Sequence, residues 1–146
     1  MTAIAHHEPT VVVDVANVMG ARADGWWRDR AGAALRLCLE VADLAARGVP
    51  ADRMPAGLPA ADGSAPGWVL VLEGRARDAA PRIPADLPRV RVISAPGSAD
   101  DAIVAEVASL AAAGSCLVVT ADRELRRRCE ALGAAVAGPG WLLEML

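Results

Sequence analysis

Five carboxylates stand just beyond short apolar runs, and acids so placed suit the binding of a hard cation. Asp14 ends TVVVD (10–14), Glu73 follows WVLVL (68–72), Asp100 and Asp101 follow RVRVIS (89–94) after the turn APGS, and Asp122 follows CLVVT (116–120). If the runs are parallel strands of one open sheet, their carboxyl ends share an edge, and ligands of such sheets bind there. Like charges converging at that edge repel unless some stay protonated or a cation sits among them. Oxygen ligands alone select a hard divalent ion, Mg²⁺ or Mn²⁺. A site of that kind activates water and neutralises phosphoryl oxygens, so the expected chemistry is phosphodiester or nucleotide hydrolysis.

Each residue also has a plainer reading. Asp14, directly after three valines, is expected to be partly desolvated, which is costly without a partner and favours a functional role. Ser98 to Asp101 doubles as a helix start in which Ser98 caps and Asp101 reaches back. Asp122 can equally cap the helix that opens with its own DREL, where the partial positive charge of a helix start attracts carboxylates. Asn17 suits an Asx turn as well as a place lining the site, and Thr120 either bonds nearby backbone or orients Asp122. Arg75 and Arg77, just after Glu73, are phosphate-binding candidates on the same edge. Trp26 and Trp27, beside Arg22, Arg28 and Arg30, read either as base-stacking rings with phosphate contacts or as core plus rim. Arg126 to Arg128 read as a solvated helix face.

The elements that must position these residues alternate. Apolar spacing predicts a helix over 28–47, stopped by Gly48 and Pro50, another over 99–113, ended by Gly114, and a third over 122–132. AAVAG (134–138) reads as a last strand and 139–146 as a short closing helix. Residues 48–67 read as a Pro/Gly-rich loop, 74–88 with three prolines as at most a short helix, and 1–9, with His6 and His7, as a flexible arm. Alternating strands and helices give an α/β fold, a three-layer Rossmann-like domain around a mainly parallel sheet of four to five strands.

Length and composition agree. The 146 residues suit one domain, and 54% hydrophobic against 23% charged residues excludes a disordered chain. No apolar run approaches the roughly 20 residues of a membrane span, and the start shows no export signal, so a cytoplasmic location is expected. All 15 basic residues are Arg, and the net charge of -3 restricts nucleic-acid contact to a regional Arg patch. Cys38, Cys116 and Cys129, odd in number and far apart, read as core residues and not as disulfides or a zinc site.

VVVDVANV with Asp14 and Asn17, GSADDAI with Asp100 and Asp101, and VVTADREL with Thr120 and Asp122 resemble, in order and spacing, the three acidic motifs of PIN-like and NYN domains. The resemblance implies a Rossmann-like sheet, Mg²⁺ or Mn²⁺ dependence and ribonuclease activity, with Asp14, Asp100 and Asp122 catalytic and Asp101 joining them as a metal ligand. Glu73 is placed by its strand position and not by a motif. A nucleotide (NTP) pyrophosphohydrolase with the same metal centre and a catalytically silent module binding RNA or protein are the alternatives. RNA, or a nucleotide, is thus the expected partner, with a homodimer or an antitoxin-like protein compatible with the sequence.

Overall fold

The computed structural model describes residues 9–55, 58, 65–111 and 115–146. Five strands, β1 (Thr10–Asp14), β2 (Gly67–Leu72), β3 (Val90–Ser94), β4 (Cys116–Val119) and β5 (Ala135–Ala137), form one sheet in the order β3-β2-β1-β4-β5. Every pairing is parallel, with Val13 of β1 opposite Leu70 of β2 and Val119 of β4. The chain therefore builds outward from β1 to β3, then crosses back to lay β4 on the other side of β1. That reversal places the carboxyl ends of β1 and β4 at the position where open sheets of this kind take ligands.

Alternation along the strands sorts the core into two layers. Val11, Val13, Leu70, Leu72, Leu117 and Val119 pack with α1 (Val15–Gly20), α2 (Arg30–Arg47) and α5 (Pro139–Leu143). Val12, Val69, Val71 and Val118 face the other way, against α3 (Ala99–Ala111) and α4 (Arg123–Ala131). The result is a three-layer, Rossmann-like or PIN-like arrangement. Among the described residues, no helix is long and apolar enough to cross a membrane. Cys38, Cys116 and Cys129 are buried free thiols, and burial pushes the first two up to about 12 and Cys129 to about 11.

Four segments depart from the expectations. The stretch after Asp14, where the sequence allows an Asx turn at Asn17, is a six-residue helix, α1, with Val15, Val18 and Met19 buried. Residues Gly74–Arg82 form a nine-residue 3-10 helix despite Pro81. Proline near the end of a helix whose bonds reach only three residues back removes little, and the helix is anchored by its own buried Ala76 and Ala79. Pro9, assigned to the flexible arm, is buried, and its carbonyl accepts from Gly67 at 3.0 Å; His6, His7 and the rest of that arm lie outside the described residues. The 48–67 stretch includes a 3-10 turn at Ala51–Arg53 and the buried Val49 and Met54. Residues 56, 57 and 59–64 of that stretch, and Gly114, are likewise outside the described residues.

Candidate functional site

Asp14 is the last residue of β1 and is only 5% exposed. By strand alternation it points, with Val12, to the α3 side. Two groups hold its carboxylate. Thr120, directly after β4 and fully buried, donates its hydroxyl to Asp14 Oδ2 at 3.0 Å. The backbone N–H of Asn17 donates to Oδ1 at 3.4 Å, so Asp14 also caps α1. Burial dominates these bonds and raises the Asp14 carboxyl from 3.8 to about 6; the Thr120 and Asn17 bonds lower it, while the charges of Asp100 and Glu73 raise it again.

Thr120 bonds nearby backbone, one of the two roles the sequence leaves open, and also bonds Asp14. While donating to Asp14, its Oγ1 accepts from the backbone N–H of Asp122 at 3.1 Å. Asn17 acts across the same gap: its Oδ1 accepts from the N–H of Ala121 at 2.8 Å, tying α1 to the loop after β4. Asp122 caps α4, accepting from Leu125 N–H at 3.0 Å through Oδ1.

Asp100 lies in the first turn of α3 and is half-buried, with its backbone N–H donating to Ser98 Oγ at 3.1 Å. Its carboxyl is also raised, first by burial and then by the charge of Asp122, against the lowering effect of Arg128. Asp101 points outward, 81% exposed, and pairs with Arg128 of α4 at 3.2 Å. Glu73 continues β2 in extended backbone (φ -137°, ψ 163°), so by alternation with Val69 and Val71 it faces the Asp14 side. The carboxylates thus form a chain of electrostatic neighbours, Glu73 to Asp14 to Asp100 to Asp122. They do not form a closed cage: among the described residues, no three His, Cys, Asp or Glu side chains converge tightly enough to hold a metal ion.

The two arginines after Glu73 differ. Arg77 donates to the carbonyls of Gly74 at 3.2 Å and Ala95 at 3.3 Å, pinning the 3-10 helix to the loop before α3. Arg75 is exposed and lines a cleft of about 250 Å³ with Ala16, Trp26, Arg30 and Glu73. Arg22 is occupied elsewhere, in a two-point pair with Glu40 at 2.7 and 3.1 Å. Sequence reasoning missed the bond from Thr120 to Asp14; a hydroxyl at the end of the strand that neighbours β1 is the signal that could have found it.

No family model matches the chain, and no curated protein matches it. Among solved structures, the chain is similar to a mutant of Rae1 (YacP) from Bacillus subtilis, with a TM-score of 0.68 and 17% identity over 94% of this chain and 74% of that one. The likeness extends through nearly the whole chain and is one of fold.

Proposed function

We propose that this chain is a metal-dependent phosphodiester hydrolase acting on RNA, with Asp14, Asp100 and Asp122 as its catalytic carboxylates. The observation that carries the reading is the buried Asp14 carboxylate beside the strand-order reversal, with Asp100 and Glu73 as its charged neighbours. Burying a carboxylate among other carboxylates is unfavourable for stability alone, and it favours the capture of a cation. The ordered acidic motifs support the same direction, and the likeness to Rae1 supports the fold that carries them.

The donor set fits Mg²⁺ or Mn²⁺. Mg²⁺ keeps several waters and commonly takes only one or two protein carboxylates, so Asp14 and Asp100 would be the residues to hold it, with water completing the shell. Such an ion, when bound, supplies a more acidic water and a positive charge against the phosphoryl oxygens. The chain's own part is positional. Thr120 fixes the orientation of Asp14 through Oδ2 and steadies the Asp122 amide at the same time. Asp122, at the start of α4, is the candidate for orienting the attacking water, and Asp101 and Glu73 are outer carboxylates of the same edge. Arg75, with its guanidinium exposed beside Glu73, is the candidate for binding a substrate phosphate.

Labelled RNA and nucleoside triphosphates incubated with Mn²⁺ or Mg²⁺ test the reading, comparing the wild type with Asp14→Asn and Asp122→Asn. RNA cleavage lost in both variants supports it. Cleavage equal in wild type and variants overturns it, and hydrolysis confined to triphosphates replaces RNA with nucleotide as the substrate.

A further inference from the structure

We propose that the cleft bounded by Trp27, Arg28, Arg30 and Arg75 is a subsite for single-stranded RNA, with an unpaired base stacked on Trp27 and the flanking phosphates on Arg30 and Arg75; this deepens the hydrolase reading and rests on it.

The cleft has a volume of about 510 Å³, and the 3-10 turn Trp26–Arg28, the start of α2 and the 3-10 helix after β2 form its walls. Trp27 is 56% exposed, unusual for so large an apolar ring. Yet it is not loose. Its ring stands perpendicular to that of Trp26, with centroids 6.0 Å apart and an angle of 89° between the planes, and the half-buried Trp26 in turn packs on the core. Arg28 lies over the Trp27 ring at 5.8 Å and Arg30 over the Trp26 ring at 5.4 Å. An exposed indole braced against a core-packed neighbour, with one guanidinium beside it, is a stacking platform that a base of any identity can use, provided the base is unpaired.

The charges are available. Among the described residues, Arg28, Arg30 and Arg75 make no ion pair, whereas Arg22, Arg36, Arg47, Arg53, Arg91, Arg127 and Arg128 are all paired. Of the two carboxylates in the cleft, Asp29 is committed to capping α2 through Gly32 N–H at 2.9 Å, and Asp78 is the other. Guanidinium groups therefore outnumber carboxylates in a chain whose net charge is -3.

The cleft also leads towards the acidic edge. Arg30 and Arg75 line both this cleft and the smaller one that includes Ala16 and Glu73. Ala16 follows Asp14 by two residues, and Glu73 is one of the charges acting on Asp14. A strand with one phosphate near Asp14 can thus extend over Arg75 and Arg30 to Trp27.

The test is binding of a fluorescently labelled RNA octamer of mixed sequence, followed by anisotropy in a buffer with EDTA, so that no cleavage contributes. Trp27→Ala is expected to weaken binding about tenfold, and Trp27→Phe to restore most of it. The double variant Arg30→Ala/Arg75→Ala is expected to lower the slope of log affinity against log salt by about 1.4, as for two lost phosphate contacts on a single strand. The same sequence as a duplex is expected to bind Trp27→Ala and wild type equally. Unchanged octamer affinity in Trp27→Ala, or an unchanged salt slope in the double variant, overturns the subsite. Octamer binding that depends on Trp27, without any cleavage sensitive to Asp14→Asn when Mn²⁺ is added, overturns the hydrolase reading and leaves the subsite standing.

Discussion

The hydroxyl of Thr120 donates to the buried carboxylate of Asp14 at 3.0 Å, joining residues 106 apart at the ends of adjacent parallel strands. Because the same oxygen accepts from Asp122 N–H at 3.1 Å, one side chain ties the Asp14 carboxylate to the backbone of Asp122. Thr120→Val, close in shape but without the hydroxyl, leaves the Asp14 oxygen and the Asp122 amide short of a partner. A lost bond to a buried charged group costs about 1–3 kcal/mol. The variant is expected to lose about that much stability in urea unfolding at pH 8, whereas Thr120→Ser keeps most of it. RNA cleavage is expected to fall at least tenfold in the valine variant, through misplacement of Asp14.

Asp14 should make stability fall as pH rises through a definite window. Its carboxyl is lifted from 3.8 to about 6 in the fold, mainly by burial. Between those values the folded state holds a proton that the unfolded chain has released, so stability falls as pH rises from about 4 to 6, and the penalty is complete above that range. A raised value of this size corresponds to roughly 3 kcal/mol. Asp14→Asn carries no charge to bury, so it is expected to be more stable than the wild type at pH 8 by about 1–3 kcal/mol and no more stable at pH 4. Urea unfolding at the two pH values reads this directly. An Asn variant less stable at both would mean that the carboxylate contributes more as cap and acceptor than its burial costs.

The strands were legible because β-branched runs such as VVV and LVV leave little ambiguity. Helix α1 was not. VANVMG continues the apolar character of β1 without a break, and its one start signal, the capping carboxylate of Asp14, looks like a site residue and nothing more. The position of each acid at a strand end could be read from the chain, since it depends only on local order. Which acids approach one another could not, because that depends on how α3 and α4 settle on the sheet. Asp100 and Asp101 are adjacent in sequence, yet one is half-buried and feels Asp122 while the other is exposed on Arg128.

That split between Asp100 and Asp101 predicts unequal variants. Asp100→Asn removes a charge that acts on Asp14 and is expected to reduce metal-dependent RNA cleavage more than a hundredfold. Asp101→Asn removes a pair that is 81% exposed on the Asp side, and exposed pairs of this kind contribute about 0–1 kcal/mol. Its cleavage rate is expected to stay within tenfold of the wild type, and its stability within 1 kcal/mol. Equal losses in the two variants would place Asp101 among the groups that hold the metal.

Metal addition should act through Asp14 and compete with its proton. A ligand that binds only the folded state raises stability with its concentration, and Mn²⁺ at Asp14 would offset both the cost of burying its charge and the repulsion from Asp100 and Glu73. The melting temperature of the wild type at pH 8 is therefore expected to rise by several degrees in millimolar Mn²⁺. At pH 5, below the value of about 6 for Asp14, the carboxyl is largely protonated in the absence of metal, and the ion must displace that proton to bind. The rise is expected to shrink accordingly, and to vanish in Asp14→Asn at either pH. A rise of the same size in wild type and variant would locate the ion away from Asp14 and separate metal binding from the candidate site.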